Sequence, residues 1–351
     1  MIASRYRGSL AVWLLLLAYA SLYPFFSLRA PPPGWVREFF SFAPQYLIRS
    51  DIAFNVIAYV PLGALGCLYF RNQPNPRFPI LKSIALGAGF SLLMELGQLF
   101  VPNRVSSIVD IGCNTAGTLA GAFAFVGPVY RHFTTELGEV RERLIVPGAW
   151  GDAGLVLLML WFLAQWNPAL PFFGAGNVGT EGFADISILQ WIGVGLAISG
   201  FGLFVSVLLQ DPRGSLRATL VLLSVALWLK FVTASMLLQP HFSEEWLSAG
   251  RIAGLAGGLV AFVMLRRLPR AVRIYLGLLT ILAGALLAKI FGAYSPAEEL
   301  VRLFRWPHGQ LGSFATLTRF LHELWPVAAI VFLIGLFFRE RRVAAESKIG
   351  P

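Results

Sequence analysis

Charge is what this chain has least of. Only 13% of its 351 residues are Asp, Glu, Lys or Arg, about half of the roughly 25% that a water-facing domain carries. That shortage excludes a soluble enzyme, a disordered scaffold and a soluble nucleic-acid-binding domain. Cysteine is scarcer still. Cys67 and Cys113 are the two present, and their places in the topology below are too far apart for a disulfide. Histidine is nearly absent and scattered: His132, His241, His308 and His322 fall in different segments. His322-Glu323 begins like H-E-x-x-H but has no second histidine, so no zinc site is expected. No Ser-His-Asp or Cys-His arrangement can be assembled, and no cofactor is implied. Gly174-Ala-Gly-Asn-Val-Gly179 matches a dinucleotide fingerprint in letters only, because no strand or βαβ unit surrounds it. Ten-residue alternation of the transmembrane β-barrel kind is missing too.

What remains is apolar. Hydrophobic residues make up 57% of the chain and aromatic ones 14%, arranged in runs of about twenty. A hydrocarbon core of ~30 Å is crossed by about 20 apolar helical residues. Runs bounded by Pro, Gly or charge predict an all-α, polytopic helical membrane protein with about ten spans. They lie near residues 10–28, 52–70, 80–100, 107–127, 153–170, 186–209, 216–238, 248–265, 273–293 and 321–338. The first follows Arg5 and Arg7, but it is long for a signal peptide and Ser27–Ala30 is a poor cleavage site. An uncleaved first span is expected.

The net charge of +10 then has a topological meaning. With the N-terminus cytoplasmic, eighteen Lys and Arg fall in the inner segments and eight in the outer ones. Two more, Lys230 and Lys289, lie within spans. This positive-inside bias predicts that both termini are cytoplasmic. The Arg266–Arg273 cluster and the C-terminal tail sit where anionic lipid headgroups attract them. Membrane lipids are therefore the expected partners, and nucleic acid is not. Lys230, the deeper of the two intramembrane lysines, is expected to face the bundle interior.

Ionisable groups inside spans cost several kcal/mol unless paired or hydrated, so each is a candidate for function. Most gather in the N-terminal third. Asp51 opens the second span, with Asn55 one turn along the same face. Glu95 and Gln98 stand at i, i+3 near the end of the third. Asp110 and Asn114 repeat the i, i+4 spacing at the start of the fourth, and Arg49 and Arg104 lie beside them. In the topology above, all eight fall at one outer depth, each carboxylate followed a turn later by an amide. Gly117-x-x-x-Gly121 adds a small-xxx-small pattern for close helix approach.

The order of these residues is distinctive. Arg49-Ser-Asp51, Asn55 and Pro61-Leu-Gly63 come first. Ser91, Glu95, Gln98, Arg104, Ser107, Asp110, Asn114, Gly117 and Gly121 follow. Over roughly residues 45–130 this resembles the VanZ-like family of bacterial membrane proteins, named for a factor in a glycopeptide-resistance cluster. The resemblance implies a bacterial cytoplasmic membrane and a role in the cell envelope, and it supplies no reaction. It divides the chain into a first span and outer loop (1–44), a VanZ-like bundle (45–130) and a C-terminal bundle of about six spans (131–351).

The leading expectation is a polar pocket open to the outer leaflet that binds a polar, anionic or lipid-linked headgroup. Arg49 and Arg104 would meet an anionic group. Asn55, Gln98 and Asn114 would orient the ligand, and Asp51, Glu95 and Asp110 would set charge or move protons. Three other readings stand beside it. The polar residues fasten helices together, each such bond being worth about 0.6 kcal/mol; or they turn over an envelope lipid precursor, for which no nucleophile is evident; or they line a transport path. The last fits poorly, because the inner halves of the spans hold few polar groups.

Overall fold

A computed structural model describes residues 2–23, 28–41, 49–101, 104, 106–124, 135–167, 170, 186–237, 249–291 and 310–346. Among these residues the chain is helical, with one isolated backbone bridge between Ile145 and Leu209. The helices are α1 (Ile2–Leu22), α2 (Trp35–Phe39), α3 (Arg49–Arg71), α4 (Pro79–Gln98), α5 (Ile108–Ala124) and α6 (Leu137–Leu144). They continue with α7 (Ala149–Gln165), α8 (Ile186–Leu208), α9 (Ser215–Leu237), α10 (Ala249–Leu265), α11 (Arg270–Phe291) and α12 (Gln310–Glu346). Each of the ten anticipated apolar runs overlaps one helix. Six helices are long and apolar enough to cross a membrane, and α1, α7 and α10 supply shorter apolar stretches. Large apolar side chains such as Leu81, Leu93, Val221, Trp228, Phe231, Met264, Val331 and Phe338 stand exposed along them. In water such surface would drive association; against lipid it is the ordinary outer face of a bundle. This is a helical membrane protein.

Gly174–Gly179 lies outside the described residues. α12 extends well past its expected span of 321–338. Its flanking Gln310–Phe320 and Arg339–Glu346 are polar or charged but contain good helix formers, so composition ends the apolar run without ending the helix.

The chain divides into two compact units, residues 1–140 with 308–317, and residues 141–307 with 318–351. In the first, α1, α3, α4 and α5 pack together. The seam between α3 and α5 brings backbone against backbone. A Cβ on Gly117 would collide with the Val56 carbonyl, one on Gly121 with the Val60 carbonyl, and one on Gly63 with the Thr118 carbonyl. This is the small-xxx-small geometry anticipated from the sequence. α4 closes on the same pair, where Ser83 Oγ donates to the Gly63 carbonyl at 2.9 Å. α1 joins them through Trp13, whose indole N–H donates to the Ala58 carbonyl at 3.0 Å. That bond lies one turn before Pro61, which breaks the backbone ladder of α3 without ending the helix.

The second unit is held differently. α8 runs through its middle, packed against α9, α10 and α11. Trp161 stacks on Phe201 with ring centroids 4.2 Å apart, and Phe204 meets Trp325 edge-on at 5.5 Å and Phe332 at a tilt at 5.6 Å. Such aromatic pairs add about 0.5–1.5 kcal/mol each beyond area burial. Arg273 is buried and donates to the Ser206 carbonyl at 2.8 Å, where a cation suits the C-terminal end of α8. Lys230 faces inward as anticipated. It is 1% exposed, and its Nζ donates to the Asn167 carbonyl at 2.7 Å. Asn167 in turn donates to Thr318 Oγ1 at 2.9 Å. Both cysteines are free thiols.

The glycine seam makes a sharp prediction. Gly121→Val forces a branched side chain into the Val60 backbone, an overpacking that costs about 1–3 kcal/mol or more. Gly112→Ala, which meets nothing within 4 Å, serves as the matched control. Thermal unfolding of the detergent-solubilised protein should show a clear loss for the first and essentially none for the second.

Candidate functional site

The polar residues singled out in the N-terminal third converge on one end of the first unit. That end is built by the start of α3, the end of α4, the 104–107 connection, the start of α5 and the end of α1. α4 packs antiparallel against both α3 and α5, which explains the convergence. A residue early in α3 or α5 lies level with one late in α4.

Ser107 is the pivot. Its hydroxyl oxygen accepts from the Val109 N–H at 3.1 Å, capping the N-terminus of α5. Asp110 stands three residues on, where the carboxylate of a capping box would turn back to the Ser107 N–H. In this chain Glu95 Oε2 accepts that N–H instead, at 3.0 Å, so the cap is completed by a different helix. Glu95 is only 3% exposed. Ser106 Oγ donates to the Glu95 backbone carbonyl at 2.7 Å, fixing the connection a second time.

Released from the capping role, Asp110 turns to α3, where Asn55 Nδ2 donates to its Oδ1. One turn further along α5, Asn114 Nδ2 donates to Ser91 Oγ of α4 at 2.8 Å. Asn114 also anchors its own helix, since its carbonyl accepts from Thr118 Oγ1 at 2.9 Å. Three helices are thus tied pairwise by side chains that the sequence had placed at one depth.

Arg104 closes the end of α1. Its guanidinium donates to the Ala20 carbonyl at 3.0 Å, a cation at a helix C-terminus. It also lies within electrostatic reach of Glu95, as does Asp110. Arg104 and Asp110 are half-buried, whereas Glu95, Asn114 and Ser91 are fully buried, so polarity changes with depth. Gln98 is buried at the last position of α4 and takes no part in these side-chain bonds. Arg49 and Asp51 lie in the first turn of α3, and their side chains fall outside the described residues.

Two contributors carried no signal that pattern reasoning used. Tyr59, 3% exposed, brings its hydroxyl within electrostatic reach of Ser91, Glu95 and Asp110. Its place one turn after Asn55, on the face shared with Asp51, was the clue available. The other is α1, which gives the site a backbone carbonyl.

A family model described as VanZ/LLP1 matches residues 9–130. The N-terminal part of this chain is a VanZ-like domain. The match begins within α1 rather than near residue 45, in accord with the packing of α1 against α3 and α4. No curated protein and no solved structure matches the chain. Within the described residues no group of three or more His, Cys, Asp or Glu could hold a metal ion. Among the described residues, this end of the VanZ-like domain gathers two carboxylates, three amides, a guanidinium and several hydroxyls.

The borrowed cap is testable. Glu95→Ala leaves the Ser107 N–H buried and unpaired, a loss of about 1–3 kcal/mol. Glu95→Gln keeps an acceptor at that atom. Thermal unfolding should show Glu95→Ala well below the parent protein, with Glu95→Gln recovering most of the difference.

Proposed function

We propose that the VanZ-like domain forms an outward-facing polar pocket that binds the polar or lipid-linked headgroup of a cell-envelope molecule. The observation that carries this reading is the half-buried guanidinium of Arg104 beside the half-buried Asp110 and the buried Glu95. Helix fastening alone does not call for opposite charges arranged from rim to interior. Guanidinium groups recognise phosphate and carboxylate in bidentate fashion. In this proposal Arg104 and Arg49 meet the anionic part of the ligand. Asn55, Gln98 and Asn114 orient it, and Asp51, Glu95 and Asp110 set the local charge. The chain lies in the bacterial cytoplasmic membrane with ten spans and both termini cytoplasmic, which turns this end of the bundle outward. The envelope role follows from the family, of which glycopeptide resistance is the instance that its name records.

Fastening is the second reading, favoured by the Asn55–Asp110, Glu95–Ser107 and Asn114–Ser91 bonds. The two readings part on Arg104. Under the binding proposal, Arg104→Ala loses the anionic lipids that co-purify with the parent protein, read by native mass spectrometry, while its membrane level holds. Under the fastening reading Arg104→Ala depletes the protein itself. A second measurement addresses orientation. Single cysteines introduced at positions 51 and 104, with Cys67 and Cys113 replaced, should react with an impermeant maleimide added outside intact cells. Reaction only after the membrane is opened would reverse the proposed topology.

A further inference from the structure

Among the described residues of the VanZ-like domain, two buried side-chain atoms have no hydrogen-bond partner. Asn114 uses Nδ2 on Ser91, and its Oδ1 is buried with no hydrogen-bond partner among the described residues. The Tyr59 hydroxyl approaches Ser91, Glu95 and Asp110, yet it too is buried without a bond of acceptable geometry. Both side chains are more than nine-tenths buried, at 4% and 3% exposure. Leaving a buried donor or acceptor unmade costs about 1–3 kcal/mol. For packing helices alone, apolar atoms at these two positions would avoid that cost.

The groups around them share one character. Asn114 Oδ1 accepts only, the Glu95 and Asp110 carboxylates accept when ionised, and the Tyr59 oxygen can accept as well as donate. The permanent cation, Arg104, stands nearer the surface and is drawn toward the Ala20 carbonyl. The interior is therefore rich in acceptors and the rim carries the strong donor. A lone anion suits the rim and is repelled by the interior.

Resting on the binding reading above, we propose that the ligand is two-ended. A phosphate-type group sits at Arg104, and a hydrogen-bond-donating hydroxyl or ammonium group, a few bonds away, reaches inward to Asn114 Oδ1 and Tyr59. Phosphate-linked polyol and phosphate-linked amine headgroups have this chemistry. Simple phosphate monoesters without a donor have half of it.

The test uses the full-length protein in detergent and isothermal titration calorimetry with three water-soluble probes: methyl phosphate, glycerol 1-phosphate and phosphoethanolamine. At least one donor-bearing probe should bind about tenfold or more tightly than methyl phosphate, the increment expected of one hydrogen bond to a buried acceptor. Tyr59→Phe should abolish that preference while methyl phosphate binds as before. Tyr59→Phe removes a single oxygen, which keeps the test independent of folding. Equal affinity for all three probes, or a preference that survives Tyr59→Phe, overturns the two-ended ligand and leaves the anion site standing. No binding of any probe overturns the binding reading together with this inference.

Discussion

The approach of α3 to α5 at backbone distance is the constraint from which the rest of the VanZ-like domain follows. Gly63, Gly117 and Gly121 remove the side chains that would hold the two helices apart. Lipid tails are as apolar as leucine, so close packing and polar contacts must supply the association that water drives elsewhere. Short reach is what lets a small amide act across the seam. Asn55 meets Asp110, and Asn114 reaches Ser91, because the helices run so near one another. Wider spacing would need longer side chains, which lose more conformational freedom when ordered.

Once α3 and α5 are fixed, α4 finds its level through Ser83 on the Gly63 carbonyl and through Glu95 on the Ser107 N–H. The second of these is an economical arrangement. One carboxylate completes the start of a neighbouring helix and holds the connection between the two, and it leaves Asp110 free to face α3. The site is a by-product of helix termini meeting at one end of a bundle, where backbone groups lack intrahelical partners. The C-terminal unit solves its packing with stacked aromatic rings around Phe201 and Phe204 and buries its polar residues singly or in short chains.

Much of this was legible beforehand, and the reasons are physical. Spans are visible because lipid demands long apolar runs and tolerates charge only at their ends. The carboxylate–amide spacings are visible because residues one turn apart share a face. Which helix's amide would meet which carboxylate was not legible. The meeting of Asn55 with Asp110 depends on helix register, and register is set by the glycine seam. Tyr59 escaped notice because an aromatic residue in an apolar helix reads as packing, and only its unpaired oxygen separates it from phenylalanine. The first helix escaped for a different reason. It contributes the Ala20 carbonyl and the Trp13 indole, groups that leave no trace in a pattern of charges.

The bond between Asn55 and Asp110 spans 55 positions of the chain, and that separation has a temporal consequence. At about 5–20 residues per second of synthesis, Asn55 precedes its partner by roughly 3 to 11 s. For that interval α3 is a finished hydrophobic segment carrying an amide with no acceptor from α5. The domain therefore has a vulnerable age as well as a stable form. Between the emergence of α3 and that of α5, the newborn chain must rest near the aqueous edge of the bilayer or in the care of the insertion machinery. Only then do its helices close.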